Sequence, residues 1–311
     1  MTMVYSMQER ELARRVLHFF HDEVAWHCAE LTSCECGVLP LESWYNISLL
    51  SSVPGLGQRD ALSPKDTFFG DTWATIVMHY SALGITHVGD ILPALSGMAK
   101  RVEIFKPGRY IAGLWEKDIA YLLTWTKQPW TTEASRAQVD GPTFSWIKTR
   151  SCVIWRGNPR APSEVMCKLE SVSCALATSN PYGEVSACSI QIRGRVICAH
   201  VFNGLVDAGI REEPHTYSMN VCLDDYMTSH AAGDFGVAEW EETRSTWYGV
   251  VCLELYYTKQ WVAGKEVEVA HGLILQKKTS EEVMYTRLGV LHYGPVWWFD
   301  THGQDEVVTI V

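Results

Sequence analysis

Most signatures of the common cofactor-dependent and hydrolytic enzymes are missing from this sequence. No G-x-G-x-x-G fingerprint, Walker A loop or G-x-S-x-G nucleophile elbow is present. Gly55-Leu56-Gly57 is an isolated glycine pair in a long connection over residues 37–70, which is too little to predict a nucleotide site. We therefore expect no bound cofactor, and the dinucleotide-dependent, P-loop and serine-hydrolase classes are disfavoured.

Two further absences concern location and partners. No run approaches the roughly 18–20 apolar residues of a membrane span. Residues 1–30 carry charges throughout and lack the apolar segment of a secretory leader. The formal net charge of -10 argues against a nucleic-acid partner. We therefore expect a cytoplasmic protein without a membrane span, and the sequence does not specify its oligomeric state.

Potential metal ligands are present, but they lack the usual spacing. Cys34-Glu35-Cys36 taken with Cys28 does not match a zinc knuckle. A local histidine cluster comprises His18, His21 and His27. Asp22 or Glu23 can supply a third ligand there, although histidines at the negative end of a helix dipole are commoner. We therefore expect no metal. The cysteines in apolar, strand-like stretches are expected to be buried reduced thiols, at Cys188, Cys198, Cys222 and Cys252.

The apolar pattern up to residue 140 is mainly helical. Ser6 and Glu9 form a capping box that predicts a helix as far as Phe20, with Leu12, Val16 and Phe20 on the buried face. An alternating strand follows at 24–28. Further helices are predicted at 71–84, 90–102 and 116–126.

After Gly141-Pro142, segments with a period of two replace the helical ones. They cover residues 144–155, 165–177, 185–202, 216–223, 247–258, 269–276, 283–293 and 307–311. Gly194-Arg195 predicts a hairpin turn inside the third of them. The sequence thus predicts an α+β protein: a helix-rich region over 1–140 and an antiparallel β-rich region over 141–311, sandwich or barrel-like, packed together as one unit.

The candidate chemistry centres on a predicted strand in which Trp146, Lys148 and Arg150 share one face. Such a strand places two cations beside an indole, either as a solvated face or as a pocket wall that donates to an anionic or carbonyl oxygen. Asp224-Asp225 offers a carboxylate pair, although such pairs more often end a strand. Thirteen tryptophans and thirteen tyrosines are enough to fill a core and also to line a pocket.

A series of short segments, spread over nearly the whole chain, carries a resemblance to a known family. They include Gln8-Glu9-Arg10 and Pro142-Thr143-Phe144-Ser145-Trp146, together with residues 15–19, 26–28, 34–36, 90–97, 110–116, 122–125, 285–290 and 308–311. In this order they resemble the end of the heterokaryon-incompatibility (HET) domain of filamentous fungi. In that family a TIR-like half precedes the Gln-Glu-Arg segment and is thought to carry the cell-death activity. The chain therefore resembles the C-terminal region standing alone, and no nucleotide-cleaving role is implied.

Two functional hypotheses follow from this resemblance and from the missing cofactor motifs. The first is a cofactor-independent enzyme of fungal specialised metabolism that binds a hydrophobic small molecule and promotes a cyclisation, isomerisation or cycloaddition, as a Diels–Alderase-like pericyclase does. Its predicted catalytic residues are Arg150, Lys148 and His27, and its predicted substrate-binding residues are Trp115, Trp125, Trp146 and Trp26. The second is a non-enzymatic recognition module related to allorecognition. An aromatic-lined pocket would favour the first hypothesis, and an exposed flat apolar patch the second.

Overall fold

The structure is a computed structural model. It describes residues 9, 11–13, 15–19, 21, 23–28, 32–37, 68–83, 85, 87–128, 140–149, 151–155, 162–202, 205–207, 220–223, 237–238, 247–262, 265–278 and 283–311. None of the helices within these ranges is both long enough and apolar enough to cross a bilayer.

The first described segment is a small antiparallel sheet. It comprises β1 (Arg15–Phe19), β2 (Val24–Cys28) and β3 (Thr32–Cys34), in the order β1-β2-β3. The predicted strand at 24–28 is confirmed, but the predicted helix is wrong over 15–19. Burial alternates there with a period of two, so Leu17 and Phe19 face solvent while Val16 and His18 are half-buried. Of the predicted buried stripe, Leu12 is 37% exposed and Val16 is half-buried, and Phe20 lies outside the described residues.

Helices are concentrated between residues 69 and 122. They are α1 (Phe69–Ser81), α2 (Ser96–Arg101) and α3 (Ile119–Leu122), with short 3₁₀ turns at Val88–Asp90, Pro93–Leu95, Val102–Phe105 and Trp146–Lys148. The helix predicted at 71–84 is confirmed by α1. The helix predicted at 90–102 is divided into short helical turns around Pro93. The helix predicted at 116–126 is reduced to α3, because the chain turns into strands before and after it.

Two small antiparallel strand pairs lie on either side of α3. The first pairs β4 (Tyr110–Ile111) with β5 (Leu114–Trp115), and the second pairs β6 (Trp125–Lys127) with β7 (Val153–Trp155). The strand predicted at 144–155 is therefore wrong except for its last three residues. Since Trp146–Lys148 is a 3₁₀ turn, Trp146 and Lys148 do not share one face of a strand.

The second half of the chain forms a large, mostly antiparallel sheet. Its strands are β8 (Glu164–Val165), β9 (Lys168–Leu176), β10 (Val185–Phe202), β11 (Leu205–Asp207), β12 (Asn220–Leu223), β13 (Val237–Ala238), β14 (Trp247–Val262), β15 (Lys265–Lys277), β16 (Met284–Pro295) and β17 (Gln304–Ile310), with α4 (Val296–His302) before the last. Pairing runs β10-β17-β16-β15-β14 and returns to β10, so these five strands close a ring. The short contact between β16 and β17 is parallel, and the other contacts in the ring are antiparallel.

The predicted hairpin turn at Gly194-Arg195 is wrong, because β10 runs straight through it. Gly194 pairs with Glu306 in the middle of the strand. A Cβ at Gly194 would lie 3.1 Å from the Leu253 side chain, so the glycine permits close packing across the ring instead of a turn. Arg195 donates from Nε to the buried Glu254 carboxylate at 2.6 Å.

One hydrophobic core contains residues from both sides of residue 140. Trp73 and Leu122 from the helical segments belong to the same buried cluster as Ile190 and Leu253 from the ring of strands. The thiols only partly follow expectation. Cys252 is buried and reduced, whereas Cys198 is exposed and Cys188 is disulfide-bonded to Cys174; the Cys222 side chain lies outside the described residues.

Candidate ligand-binding pocket

The candidate site is built on the hairpin formed by β4 and β5. Ala112 and Gly113 occupy its two turn positions with φ of 46° and 93°. Positive φ at both central residues defines a type I′ turn, whose twist suits a two-residue hairpin. The turn pairs Tyr110 directly with Trp115 across the strands, and their ring centroids lie 4.9 Å apart.

Core side chains hold this turn in place. The Gly113 carbonyl accepts hydrogen bonds from Trp73 Nε1 and Trp146 Nε1, each at 2.9 Å. Ser145 Oγ donates to the Ala112 carbonyl. A side chain at Gly113 would lie 2.9 Å from Trp146 Nε1, so only glycine allows the indole to approach. Trp73 and Trp146 are therefore scaffold residues that fix the position of the Tyr110–Trp115 pair.

A pocket of about 370 Å³ opens beside this pair. One wall comes from the hairpin and the loop that precedes it, and the other comes from β9 and the turn that leads into β10. The lining residues are Glu103, Gly108, Arg109, Tyr110, Trp115, Val172, Cys174, Pro181 and Tyr182. The three aromatic rings contact one another, with the Tyr182 centroid 5.4 Å from Tyr110 and 6.0 Å from Trp115.

Two buried donors on this wall have no hydrogen-bond partner among the described residues. They are the Tyr110 hydroxyl and Trp115 Nε1. The third aromatic differs, because Tyr182 donates its hydroxyl to Glu103. Burial is the main cause that raises the pKa of Tyr110 well above its usual value, so Tyr110 keeps its proton and remains a donor. Burial, reinforced by the Glu103 carboxylate, raises the pKa of Tyr182 to about 12.

The rim of the pocket carries a bidentate ion pair. Arg109 Nε and Nη2 each donate to a Glu116 carboxylate oxygen at 3.0 Å. Gly108, with φ of 80°, makes room for this carboxylate. Hydrogen bonds from Arg109 lower the pKa of Glu116, so the pair is ionised at neutral pH. Both side chains are substantially exposed, so the pair contributes little to stability, and it holds the Arg109 guanidinium in place beside the pocket.

Comparisons with family models, curated proteins and solved structures yield no match to this chain.

Among the predicted site residues that the structure describes, Trp115 alone lines the pocket. Trp125 and Trp146 are buried core residues whose indole N–H groups donate to backbone carbonyls. Lys148 ends a 3₁₀ turn and is not among the lining residues, and Arg150 lies outside the described residues. The remaining two, Trp26 and His27, lie on β2 of the small sheet.

The structure adds pocket residues that the sequence reasoning missed, namely Tyr110, Tyr182, Arg109 and Glu103. One local signal was available. Tyr110 and Trp115 flank Ala112-Gly113 symmetrically, and a glycine turn between apolar residues predicts a short hairpin with those residues paired. No local signal connects the hairpin to Tyr182, because that contact depends on packing across 67 or more residues of chain.

The cation beside an indole, predicted for Arg150, is present elsewhere. Arg287 is 4% exposed, and its guanidinium carbon lies 3.6 Å from the centre of the Trp125 ring. It also donates to the Trp125 carbonyl. Stacking of this kind stabilises a buried arginine. Since neither residue lines the pocket, Arg287 connects β16 of the ring of strands to β6.

Proposed function

We propose that this protein is a cofactor-independent cyclase or isomerase of the pericyclase type, related to the C-terminal region of HET domains and acting in the cytoplasm of a fungus. Its substrate is a hydrophobic small molecule that carries a conjugated carbonyl. The observation that supports this proposal most is the aromatic pocket of about 370 Å³ with two buried donors, Tyr110 and Trp115, in its wall. This volume falls in the lower part of the roughly 300–1,000 Å³ typical of ligand sites.

The unpartnered donors favour a ligand that carries an acceptor. A buried donor without a partner costs about 1–3 kcal/mol, so native proteins leave few of them. Both donor atoms are covered by neighbouring side chains, so a substrate carbonyl would recover that cost once it displaced those side chains. The neighbouring aromatic side chains provide a contrast, since Trp73, Trp146 and Tyr182 all have acceptors for their N–H or O–H groups.

The same contacts suit an intramolecular cyclisation, in which the product is an isomer of the substrate. Two hydrogen bonds to an enone oxygen draw electron density from its alkene and make that alkene more reactive towards a diene. The rings of Tyr110, Trp115 and Tyr182 offer faces against which both reacting ends can be held. Holding two ends in a near-attack geometry is worth up to about 7–11 kcal/mol in favourable cases. Arg109 at the rim can orient a polar tail of the substrate.

Binding can be tested with prodan, a fluorescent naphthyl ketone whose emission shifts to the red when its carbonyl accepts hydrogen bonds. We expect prodan to bind and to show a red-shifted emission in the wild-type protein. Tyr110→Phe removes one hydroxyl and keeps the ring, so it should weaken binding about 2- to 10-fold and shift the emission to the blue. Tyr182→Phe is the matched control, because its hydroxyl already donates to Glu103. Equal affinity and emission for Tyr110→Phe and wild type would refute the donor role.

Turnover can be tested with a linear trienone, in which a diene and an enone are joined by a short saturated tether. Its cyclisation product has the same mass, so chromatography against the uncatalysed reaction measures the rate and the isomer ratio. We expect the wild-type protein to accelerate closure and to favour one isomer. Tyr110→Phe should lose most of that acceleration. A protein that binds prodan but leaves the rate and isomer ratio of several such trienones unchanged would argue against the enzyme hypothesis.

A second candidate function is recognition of another protein, and one observation favours it. The outer face of the small sheet exposes a run of large apolar side chains: Leu17 is 48%, Phe19 77% and Trp26 36% exposed. Leu17 and Trp26 are directly opposite one another on β1 and β2. Contiguous exposed apolar residues of this kind commonly mark a contact with another molecule.

Complementation of a gene deletion distinguishes the two candidates even while the substrate is unidentified. The pocket hypothesis expects Tyr110→Phe to fail to restore the wild-type metabolite profile and Phe19→Asp to restore it. The recognition hypothesis expects the reverse, because Phe19 is far more exposed than any pocket aromatic. Both variants should be shown to accumulate to wild-type levels, so that loss of protein is not mistaken for loss of function.

A further inference from the structure

The pairing of β2 with β3 and the turn that follows β3 bring potential metal ligands together. Ala25 is opposite Cys34, and the backbone N–H of Glu35 donates to the Val24 carbonyl at 2.9 Å, which continues the ladder by one residue. Strand β3 ends at Cys34, and the turn at Glu35 and Cys36 brings Cys36 next to Glu23, the residue that precedes β2.

The chain beyond β3 then folds back so that the two thiols meet. The backbone N–H of Gly37 donates to the Cys34 carbonyl at 3.2 Å, and Gly37 has φ of 69°. This turn brings Cys34 Sγ and Cys36 Sγ to 3.3 Å, and neither cysteine is in a disulfide. The backbone N–H of Cys36 also donates to Glu23 Oε1 at 2.9 Å, which fixes the carboxylate beside the thiols.

The spacing of these donor atoms suits a tetrahedral ion. The two sulfurs and a Glu23 carboxylate oxygen all lie within 4.8 Å of one another. Around Zn²⁺, bond lengths of about 2.3 Å to sulfur and 2.0–2.2 Å to oxygen place such ligands roughly 3.5–3.8 Å apart. Small side-chain rotations therefore bring all three within bonding distance.

We propose that Glu23, Cys34 and Cys36 form a binding site for one Zn²⁺ ion, with water as the fourth ligand. Two thiolates and a carboxylate are a ligand set that zinc accepts, and three protein ligands leave an open position. Cys36 is exposed, so water reaches that position. Binding releases one proton from each thiol, and affinity therefore rises with pH. The site does not involve any residue of the pocket and stands independently of the proposed enzymatic function.

Cobalt provides a spectroscopic probe of this site. The full chain, reduced with a phosphine and freed of metal, should bind one Co²⁺ and show a near-ultraviolet thiolate-to-cobalt band that Zn²⁺ abolishes. Cys34→Ser and Cys36→Ser should each lose most of that band. Glu23→Gln should keep a thiolate band but weaken binding by about tenfold or more, by analogy with the sensitivity of metal sites to loss of a supporting carboxylate. Cys198→Ser, which removes an exposed thiol on β10, is the matched control and should behave as wild type.

A second measurement uses the wild-type protein alone and does not depend on variants that fold. Saturating Zn²⁺ should protect Cys34 and Cys36 from alkylation by iodoacetamide at least tenfold, as mapped by mass spectrometry, and should leave Cys198 unprotected. Absence of a thiolate band, an unchanged band in Cys36→Ser, unchanged affinity in Glu23→Gln, or equal alkylation with and without Zn²⁺ would each overturn the proposed site.

Discussion

The buried His271 predicts a loss of stability on mild acidification. His271 is 1% exposed on β15. Its Nε2 is 2.8 Å from Thr258 Oγ1, and its Nδ1 is 3.2 Å from His292 Nδ1. The ring stacks on Tyr256 at 4.7 Å and meets Tyr293 edge-on. These four neighbours carry no negative charge, and burial lowers the pKa of His271 from 6.5 to about 4.

The sign follows from proton linkage. In the unfolded chain the imidazole takes up a proton near its ordinary pKa of 6.5, whereas in the folded protein it stays neutral down to about pH 4. The unfolded state therefore binds more protons within this window. The contribution of His271 to stability is complete above pH 6.5 and is lost progressively between pH 6.5 and 4. At pH 5 the loss is about 2 kcal/mol, and it reaches roughly 3 kcal/mol below pH 4.

Urea unfolding at several pH values measures this contribution. The free energy of unfolding of the wild-type protein should fall by about 2 kcal/mol more between pH 8 and pH 5 than that of His271→Gln, which cannot take up the proton. His87→Gln, at an exposed histidine, is the control and should retain the wild-type slope. Carboxylates that titrate near pH 4 affect all three proteins alike and cancel in the comparison. Identical slopes for wild type and His271→Gln would refute the linkage argument.

Two further predictions concern the turn that supports the pocket and the disulfide beside it. Gly113→Ala should destabilise the protein by about 2–3 kcal/mol in urea unfolding, because φ is 93° and the new Cβ would approach Trp146 Nε1 to 2.9 Å; Gly141→Ala, whose nearest contact is 3.6 Å, should change stability by less than about 1 kcal/mol. Reduction of the Cys174–Cys188 disulfide, which closes a loop with a sequence separation of 14, should cost about 3 kcal/mol. Cys174→Ser should show the same loss without reductant, and a protein equally stable in both redox states would contradict this.

Elements with a sustained period were predictable from the sequence. The strand predicted at 185–202 coincides with β10, and the helix predicted at 71–84 corresponds to α1, on which Trp73 and Tyr80 are buried. A regular period persists over many residues in these elements, so one misplaced side chain does not hide it. The helix predicted at 116–126 was too long, because the helix over Ile119–Leu122 and the strand that begins at Trp125 are each too short to establish a period.

The pocket and the candidate zinc site depend on information that no local pattern contains. The sequence places Tyr110 beside Trp115 through a glycine turn, but only packing of the β9–β10 turn against the hairpin adds Tyr182 and completes a wall. Likewise, Cys34 and Cys36 are two residues apart in the chain, and only the pairing of β2 with β3 together with the turn that follows β3 adds Glu23.

The sequence by itself determined the alternation of residues in long strands such as β10 and the existence of the helix α1. These features follow from backbone geometry and side-chain polarity over a few neighbouring residues. The tertiary structure decided which strands close the ring. It also decided that the indole N–H groups of Trp73 and Trp146 donate to the Gly113 carbonyl, whereas that of Trp115 has no partner among the described residues. Those outcomes depend on strand register and burial, which are set by contacts between segments far apart in the chain.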